Sequence, residues 1–394
     1  MNEALVLMLS AAHPAADVRI VGKEGAALAE AGFRLLHLAP RLGGPAPPDR
    51  LHGVALRTFP APRGWLGRLR GIPALARRAA ALQPRVIHAH EPDSWLAALL
   101  AARRCGARVV LDVHEHYPSR LDPVLPAPLR PPARLALRLL CRAVAGRADA
   151  VVVAKDGLAG DYGGEARCIP VRNYATPVAI APRRHAPGPP KLLHLGALTA
   201  SRGALLMPRL LAQLPQARLQ LVGRFTDASE AAFRAEARRL GVAGRIESLG
   251  WMPREEALAV AAGCDIGLVL FQPGVENHRL ALPHKLFDCM LAGLPVIVPD
   301  FATEVAAVVR DAGCGLAVDV TDPGAIAAAV EALADPAQRA RLGASGRQAA
   351  LSRYGWTAEA ARLVRLYQRL TAPPLAAAAP AALNGLNPSQ TVTE

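Results

Sequence analysis

The 394 residues exceed what one hydrophobic core can fill, so two domains are expected, and a hydrophobic fraction of 52% is enough for both. Only 4% of the chain is aromatic and its apolar residues are mostly Ala, Leu and Val, which suits helices packed on buried parallel strands and argues against an all-β fold. The formal charge of +14 would suit nucleic acid or an anionic membrane, but Lys occurs only as Lys23, Lys155, Lys191 and Lys285, and no zinc-finger spacing or basic–aromatic cluster occurs, so nucleic acid is set aside.

The first half alternates short apolar runs with amphipathic ones. Strands are expected at Leu5–Leu9, Arg34–Leu38, Val54–Phe59, Arg85–His88, Arg108–Leu111, Ala150–Val153 and Arg167–Ile169. Helices are expected at Val21–Ala31, closed by Gly32, and at Leu66–Leu82, Asp93–Ala102 and Ala133–Ala145. The prolines of RNYATPVAIAPRRHAPGPP forbid a regular element, and the linker is placed at 176–190. A second array follows, with strands at Lys191–Leu195, Arg218–Val222, Arg245–Leu249, Ile266–Leu270, Pro295–Val298 and Gly315–Val318, then helices Pro336–Ser352 and Thr357–Leu370. The resulting division is a first α/β domain over 1–175, a second over 191–352, a C-terminal helical segment 353–370 that can cross back to the first, and a disordered tail 371–394. Doubly wound parallel sheets of this kind bind ligands at the carboxyl ends of their strands.

Glu3 stands where a signal peptide needs positive charge, and no apolar run approaches a membrane span, so a cytoplasmic protein is expected, at most peripheral on the inner face of the membrane. The six cysteines lie far apart without a C-x-x-C pair and read as buried thiols, not as disulfides or a zinc site.

Three segments carry chemistry. In LHLGALTASRG a strand ends at Gly196, where backbone can approach a ligand closely, and Arg202 and Gly203 open the next helix with a cation and free amides for a phosphate. In GVENHRLALPHKLFDCMLAGLPVIV, Pro283 suits the first turn of a helix and Gly293 its stop; Lys285 and Asp288 share one face, the acid suited to a ribose diol. In RVIHAHEPDSWLA and VVLDVHEHYPSR two strands end in clusters: His88, His90 and Glu91 on one, Asp112, His114, Glu115 and His116 on the other. Side by side, they would assemble an acid–base or polar substrate site. No D-x-D, G-x-x-x-x-G-K-[ST], G-x-G-x-x-G or H-E-x-x-H occurs, so no metal site is expected.

In this order and spacing, the HPAADVRIVGKEGAALAEAGF opening, HAHEPDS, LDVHEHYP, LGALTASRG, LGWMPREEA, ALPHKLFDCMLAGLPVIV and RYGW resemble retaining glycosyltransferase family 4, the group 1 glycosyl transferases of GT-B fold. The resemblance implies two Rossmann-like domains facing a cleft, with a UDP-, GDP- or similar nucleotide-sugar donor on the second and an acceptor on the first, and no cofactor. It makes Gly196, Arg202, Gly203 and Lys285 the donor-diphosphate site and Asp288 the ribose ligand. His114 and Glu115 become catalytic, with His90 and Glu91 on the acceptor side. Asp288 is one methylene shorter than the family's usual Glu, and Leu280 stands where the family often has a Glu for the donor sugar, with Glu276 close but misaligned. A sugar-nucleotide epimerase or hydrolase, or a non-catalytic sugar-nucleotide-binding protein, are the alternatives on the same fold.

From Leu51 to His90 there is no acidic residue, while Arg57, Arg63, Arg68, Arg70, Arg77, Arg78 and Arg85 occur with Trp65 and Leu66 among them. Arg130, Arg134, Arg138, Arg142 and Arg147 repeat the pattern. Such helices suit either an anionic membrane surface and a lipid-linked glycan acceptor, or plain solvent in an Arg-rich chain.

Overall fold

The computed structural model describes residues 2–43, 45–122 and 124–372. Most of the expected disordered tail, from Pro373 on, lies outside the described residues; Thr371 ends the last helix.

The first lobe carries strands β1 (Asn2–Leu9), β2 (Phe33–Arg41), β3 (Arg50–Leu51), β4 (Val54–Pro60), β5 (Val86–Ala89), β6 (Arg108–Val113), β7 (Ala150–Val153) and β8 (Cys168–Pro170). They form one sheet in the order β3-β4-β2-β1-β5-β6-β7-β8. All pairs are parallel except the short β3, which turns back antiparallel onto β4. The second lobe has β9 (Lys191–Leu195), β10 (Arg218–Val222), β11 (Ile246–Gly250), β12 (Ile266–Leu268), β13 (Val296–Pro299) and β14 (Gly315–Val318), all parallel in the order β11-β10-β9-β12-β13-β14. Both sheets reverse direction once, between β1 and β5 and between β9 and β12. These switch points, at the carboxyl ends of the strands, are where the candidate residues gather.

The central strands are largely apolar because both faces are covered, whereas β4 and β11, toward the sheet edges, keep exposed polar residues. In β1, Leu5, Leu7 and Leu9 join Ile72, Leu75, Trp95 and Val144 on one face of the sheet. Val6 and Met8 point the other way, onto Leu28, Leu363, Leu366 and Tyr367. Those last three residues belong to the final helix, Trp356–Thr371, so the chain returns from the second lobe to complete the core of the first. It crosses beside the outgoing strand of chain, where Ala175 accepts from Trp356 N at 2.7 Å and donates to Tyr354 O at 2.8 Å. Residues 176–190 form no helix or strand.

Two expected helices differ from the sequence reading. The opening helix is a π turn, Ile20–Gly25, before its α-helical part Ala26–Glu30. Asp17 starts it by accepting from Arg19 N at 2.8 Å and Ile20 N at 3.0 Å, and Gly25 permits it, since a Cβ there would stand 2.8 Å from Ile20 O. After β9 the helix expected near Arg202 is instead two 3-10 turns, Ala200–Arg202 and Ala204–Leu206, and the α-helix begins only at Met207. Gly203 between them has φ +81°, and a Cβ there would lie 2.5 Å from Leu270 O, so the turn is pressed against the end of β12.

Because the returning helix seals one face of the first sheet, Leu363→Ala is expected to destabilise the first lobe by about 2–5 kcal/mol. Urea denaturation followed by tryptophan fluorescence checks this; an unchanged midpoint would remove the helix from that core.

Candidate active site

In the second lobe, Gly196 ends β9 with φ +88°, and Thr199 caps the next turn by accepting from Arg202 N at 3.1 Å. This brings the Arg202 guanidinium to 6.0 Å from the centre of the Phe271 ring, while Lys285 Nζ lies 5.8 Å from the same centre. Lys285 is in the first turn of the helix His284–Leu291, for which Pro283 is the N-cap. Its Nζ stands 3.2 Å from His194 Nε2. Burial, with Arg202 close by, brings Lys285 down to about 7, and burial with Lys285 close by pushes His194 well below the usual histidine range. His194 is therefore neutral, and its Nε2 also lies 3.4 Å from Ala197 O. Among the described residues neither Arg202 nor Lys285 forms an ion pair, so two desolvated cations share a pocket with the free amides of a helix N-terminus.

In the first lobe the polar residues converge on Asp112, fully buried near the end of β6. Arg19 grips it with two bonds, Nη2 to Oδ1 at 2.9 Å and Nε to Oδ2 at 3.2 Å. Oδ2 also faces His114 Nε2 at 2.7 Å and His90 Nδ1 at 3.2 Å. Burial alone would raise the Asp112 carboxyl, but Arg19 and the two imidazoles hold it well below the usual range. Glu24, equally buried, has its Oε1 2.7 Å from Arg19 Nη2. Burial and the Asp112 charge push it far above the carboxyl range despite Arg19. One guanidinium thus neutralises one carboxylate, and the second acid keeps its proton.

Glu24, His88, His90 and Asp112 each bring a ligand-type atom within 4.8 Å of the others. The Arg19 guanidinium already bonds or faces both carboxylates there, so the positive charge that a metal ion would supply is present as a side chain. Further out, the His13 ring lies 4.9 Å from that of His114, and Asp17 faces His13 Nδ1 at 3.2 Å.

The lobes meet across the cleft. Lys23, from the π turn, donates to Tyr174 O at 2.6 Å and reaches His284 Nδ1 at 3.3 Å. His116 N donates to Asn277 Oδ1 at 2.7 Å, and Gly157 N to Glu304 Oε1 at 2.7 Å. Leu280 is buried in the core of the first lobe, beside Gly157 and Leu158.

Residues 19–165 match the model of Glycosyltransferase Family 4, and residues 189–335 that of Glycosyl transferases group 1. The chain is a glycosyltransferase of the group 1 type. Its fold is that of sucrose-phosphate synthase from Thermosynechococcus elongatus (TM-score 0.73, 19% identity, 93% of this chain and 99% of that one). HepE of Anabaena, solved in complex with UDP and glucose, has a TM-score of 0.70 at 15% identity, covering 93% of this chain and all of that one (100%). The lipopolysaccharide outer core galactosyltransferase WaaB has a TM-score of 0.62 at 12% identity, covering 93% and 99%. A sequence relative, O-antigen biosynthesis protein RfbC of Myxococcus xanthus, is 31% identical over 125 residues; the match spans 32% of this chain and 9% of that protein's length.

In this glycosyltransferase the expected donor residues Arg202 and Lys285 gather about Phe271, with Gly196 beside Lys285 and Gly203 against Leu270. Asp288 is adjacent but engaged: its Oδ1 accepts from Arg254 Nη2 at 2.7 Å and Nε at 3.0 Å, leaving Oδ2 without a hydrogen bond among the described residues. His114 lies at the cleft with a side chain 10% exposed. Glu115 is half-buried, paired with Arg120 and close enough to Arg202 to act on its charge. His90 is sealed behind His114, stacked on His88 at 4.6 Å. Glu91 caps the helix Pro92–Cys105 and accepts from the amides of Ala11, Ala12 and His13, so it shapes the loop after β1. Sequence reasoning missed Arg19, Glu24, His13, Phe271 and Arg254. The first two had a visible signal, charges of opposite sign set among the apolar residues of the opening run together with Asp17 and Lys23.

Glu24 holds its proton in the folded chain at a pH where the unfolded chain has lost it. Its contribution to stability is therefore full at acid pH and lost as pH rises through its raised folded value. Thermal melting from pH 5 to 9 is expected to show wild type falling relative to Glu24→Gln, which carries no titrating proton. Parallel pH profiles would show that Glu24 ionises normally.

Proposed function

We propose that the chain moves a sugar from a nucleoside diphosphate, UDP foremost, to a hydroxyl of a glycan or lipid-linked acceptor, with retention at the anomeric carbon, in the synthesis of cell-surface polysaccharide. The observation that carries this reading is the pair of cations on the second lobe, Arg202 and Lys285, which flank Phe271 without an ion pair among the described residues. In such a transfer the bond from the anomeric carbon to the phosphate oxygen breaks, the acceptor oxygen forms the new bond on the same face, and the acceptor's proton goes to the departing phosphate. Arg202, Lys285 and the amides after Pro283 would stabilise the charge that develops on the diphosphate, which is the part a metal ion plays elsewhere, and so no metal is proposed. His114 would orient the sugar and the incoming hydroxyl. UDP is taken from the HepE complex and the polysaccharide setting from the short RfbC match.

An acceptor with an apolar portion suits the first lobe. A cavity of about 150 Å³ there is lined by Phe59, Ile72 and Leu75 together with Arg68, Arg78 and Asp93. The helix Arg130–Ala145 exposes Leu135, Leu139 and Leu140. Among the described residues no helix is long and apolar enough to cross a membrane. We propose that this lobe rests on an anionic surface through Arg70 and Arg77; Arg68, Arg134 and Arg138 are already paired with Asp93, Asp122 and Asp161.

Incubation with a panel of sugar nucleotides tests the reaction: product should require an added acceptor. Conversion without acceptor would favour an epimerase or hydrolase, and tight binding without turnover a binding protein. Arg202→Ala should weaken UDP at least tenfold and uridine little. Because Lys285 must be charged to hold the diphosphate, UDP affinity should fall as pH rises above about 7, up to about tenfold per unit; pH-independent titrations would place the diphosphate elsewhere.

Cosedimentation with phosphatidylglycerol vesicles should be strong at low salt and lost near about 0.5 M, where screening is short-ranged. Arg70→Gln/Arg77→Gln should weaken it. Equal recovery with neutral phosphatidylcholine vesicles would refute the charge-based surface.

A further inference from the structure

We propose that Asp112 is a positioning residue for the transfer: it fixes the imidazole of His114 with its hydrogen on Nε2, so that the bare Nδ1 is the atom presented to the cleft. This rests on the role given to His114 above and adds which atom acts and what aims it.

The geometry leaves little freedom. A carboxylate can only accept, and Asp112 Oδ2 lies 2.7 Å from His114 Nε2, so that nitrogen must carry a hydrogen. Asp112 stays a carboxylate because Arg19 donates to both of its oxygens. The remaining acid in the cluster, Glu24, carries the spare proton, so Asp112 need not. His90 cannot supply the alternative. Its Nδ1 also faces Asp112 Oδ2, at 3.2 Å, and is 3.4 Å from His114 Nε2, so a hydrogen on His90 Nδ1 is spent on the same carboxylate. His114 Nδ1 has no partner among the described residues, and unlike His88 Nε2 and His90 Nε2 it is not among the nitrogens sealed from solvent without one.

The backbone behind this arrangement is rigid. Asp112 is held in β6 between β5 and β7, and Arg19 is locked by further bonds to Val171 O at 2.9 Å and Asn173 Oδ1 at 3.0 Å. The imidazole plane is thereby fixed as well as its tautomer. In its neutral form the ring offers the cleft a lone pair, which accepts a hydrogen bond from a hydroxyl of the transferred sugar or of the acceptor. The opposite tautomer would present N–H there and repel no hydroxyl oxygen, but it would abandon the acceptor role and leave Asp112 facing a lone pair.

The full chain with ¹⁵N-labelled histidine, studied by long-range ¹H–¹⁵N correlation, reads the tautomer directly, with His114→Ala giving the assignment. The expected spectrum has His114 Nε2 protonated and Nδ1 bare at a pH where the ring is neutral. A protonated Nδ1 would overturn the proposal without any need for a variant that folds. Asp112→Asn, whose amide can donate or accept, should release the tautomer and lower kcat about a hundredfold, while the dissociation constant for UDP changes less than twofold. A folded Asp112→Asn with wild-type kcat would also overturn it. Near-normal turnover in folded His114→Ala is a different result: it would refute the catalytic reading of His114 and leave the spectrum to decide what Asp112 does to the ring.

Discussion

The buried pair of Arg19 and Asp112 ties more of the molecule together than any other contact. Asp112 belongs to a central strand of the first sheet, Arg19 to the entry of the π turn, and the guanidinium also holds Val171 and Asn173, where the chain leaves for the second lobe. Desolvating two charges is costly, and breaking such a pair from one side typically costs about 3–5 kcal/mol because the other charge is stranded. The pair is therefore poorly explained as a source of stability. Its return is geometric. Three segments distant in sequence are fixed around one carboxylate, and the side chains that face the cleft inherit their positions from it.

The two lobes divide the electrostatic work unequally. The first is closed in charge: Arg19 answers Asp112, Glu24 is neutral, and burial keeps His88 and His90 neutral. The second lobe leaves Arg202 and Lys285 unanswered at the cost of a depressed Lys285. A site desolvated without a counter-charge is suited to an anionic ligand, which is the basis for the diphosphate proposed there. The neutral His194, 3.2 Å from Lys285 Nζ, brings no counter-charge to the lysine.

The sequence reading was accurate wherever the cause was local. Apolar runs bounded by Gly and Pro located thirteen of the strands and missed β3, two residues long and polar at one end. The π turn was invisible because its first residues have the same periodicity as an α-helix; what makes it is the Asp17 side chain and the close approach allowed by Gly25. The residues proposed for the diphosphate stood out because a strand end, a turn and a helix start follow one another along the chain. His90 and Glu91 were identified as polar groups at the right sheet edge, but their burial and their tasks depend on partners such as Asp112 and the amides of Ala11–His13 that lie far away in sequence. The Leu280 departure was equally plain as a residue type, while its destination in the opposite lobe could not be read from spacing.

That destination alters how the cleft works. Leu280 and Lys285 stand on the same short segment, one buried against Gly157 and Leu158 of the first lobe and the other lining the cation pocket of the second. Approach of the lobes and placement of the lysine are thus two ends of one piece of chain. The same segment offers the cleft few free acceptors, since Glu276 is paired with Arg279 and Asp288 with Arg254. On the first lobe Glu115 is likewise paired, with Arg120, and His114 Nδ1, without a partner among the described residues, is the acceptor we propose for hydroxyl groups between the lobes. An apolar residue at position 280 therefore does more than delete a polar contact. It places an apolar side chain from the lysine's own segment in the core of the first lobe, against Gly157.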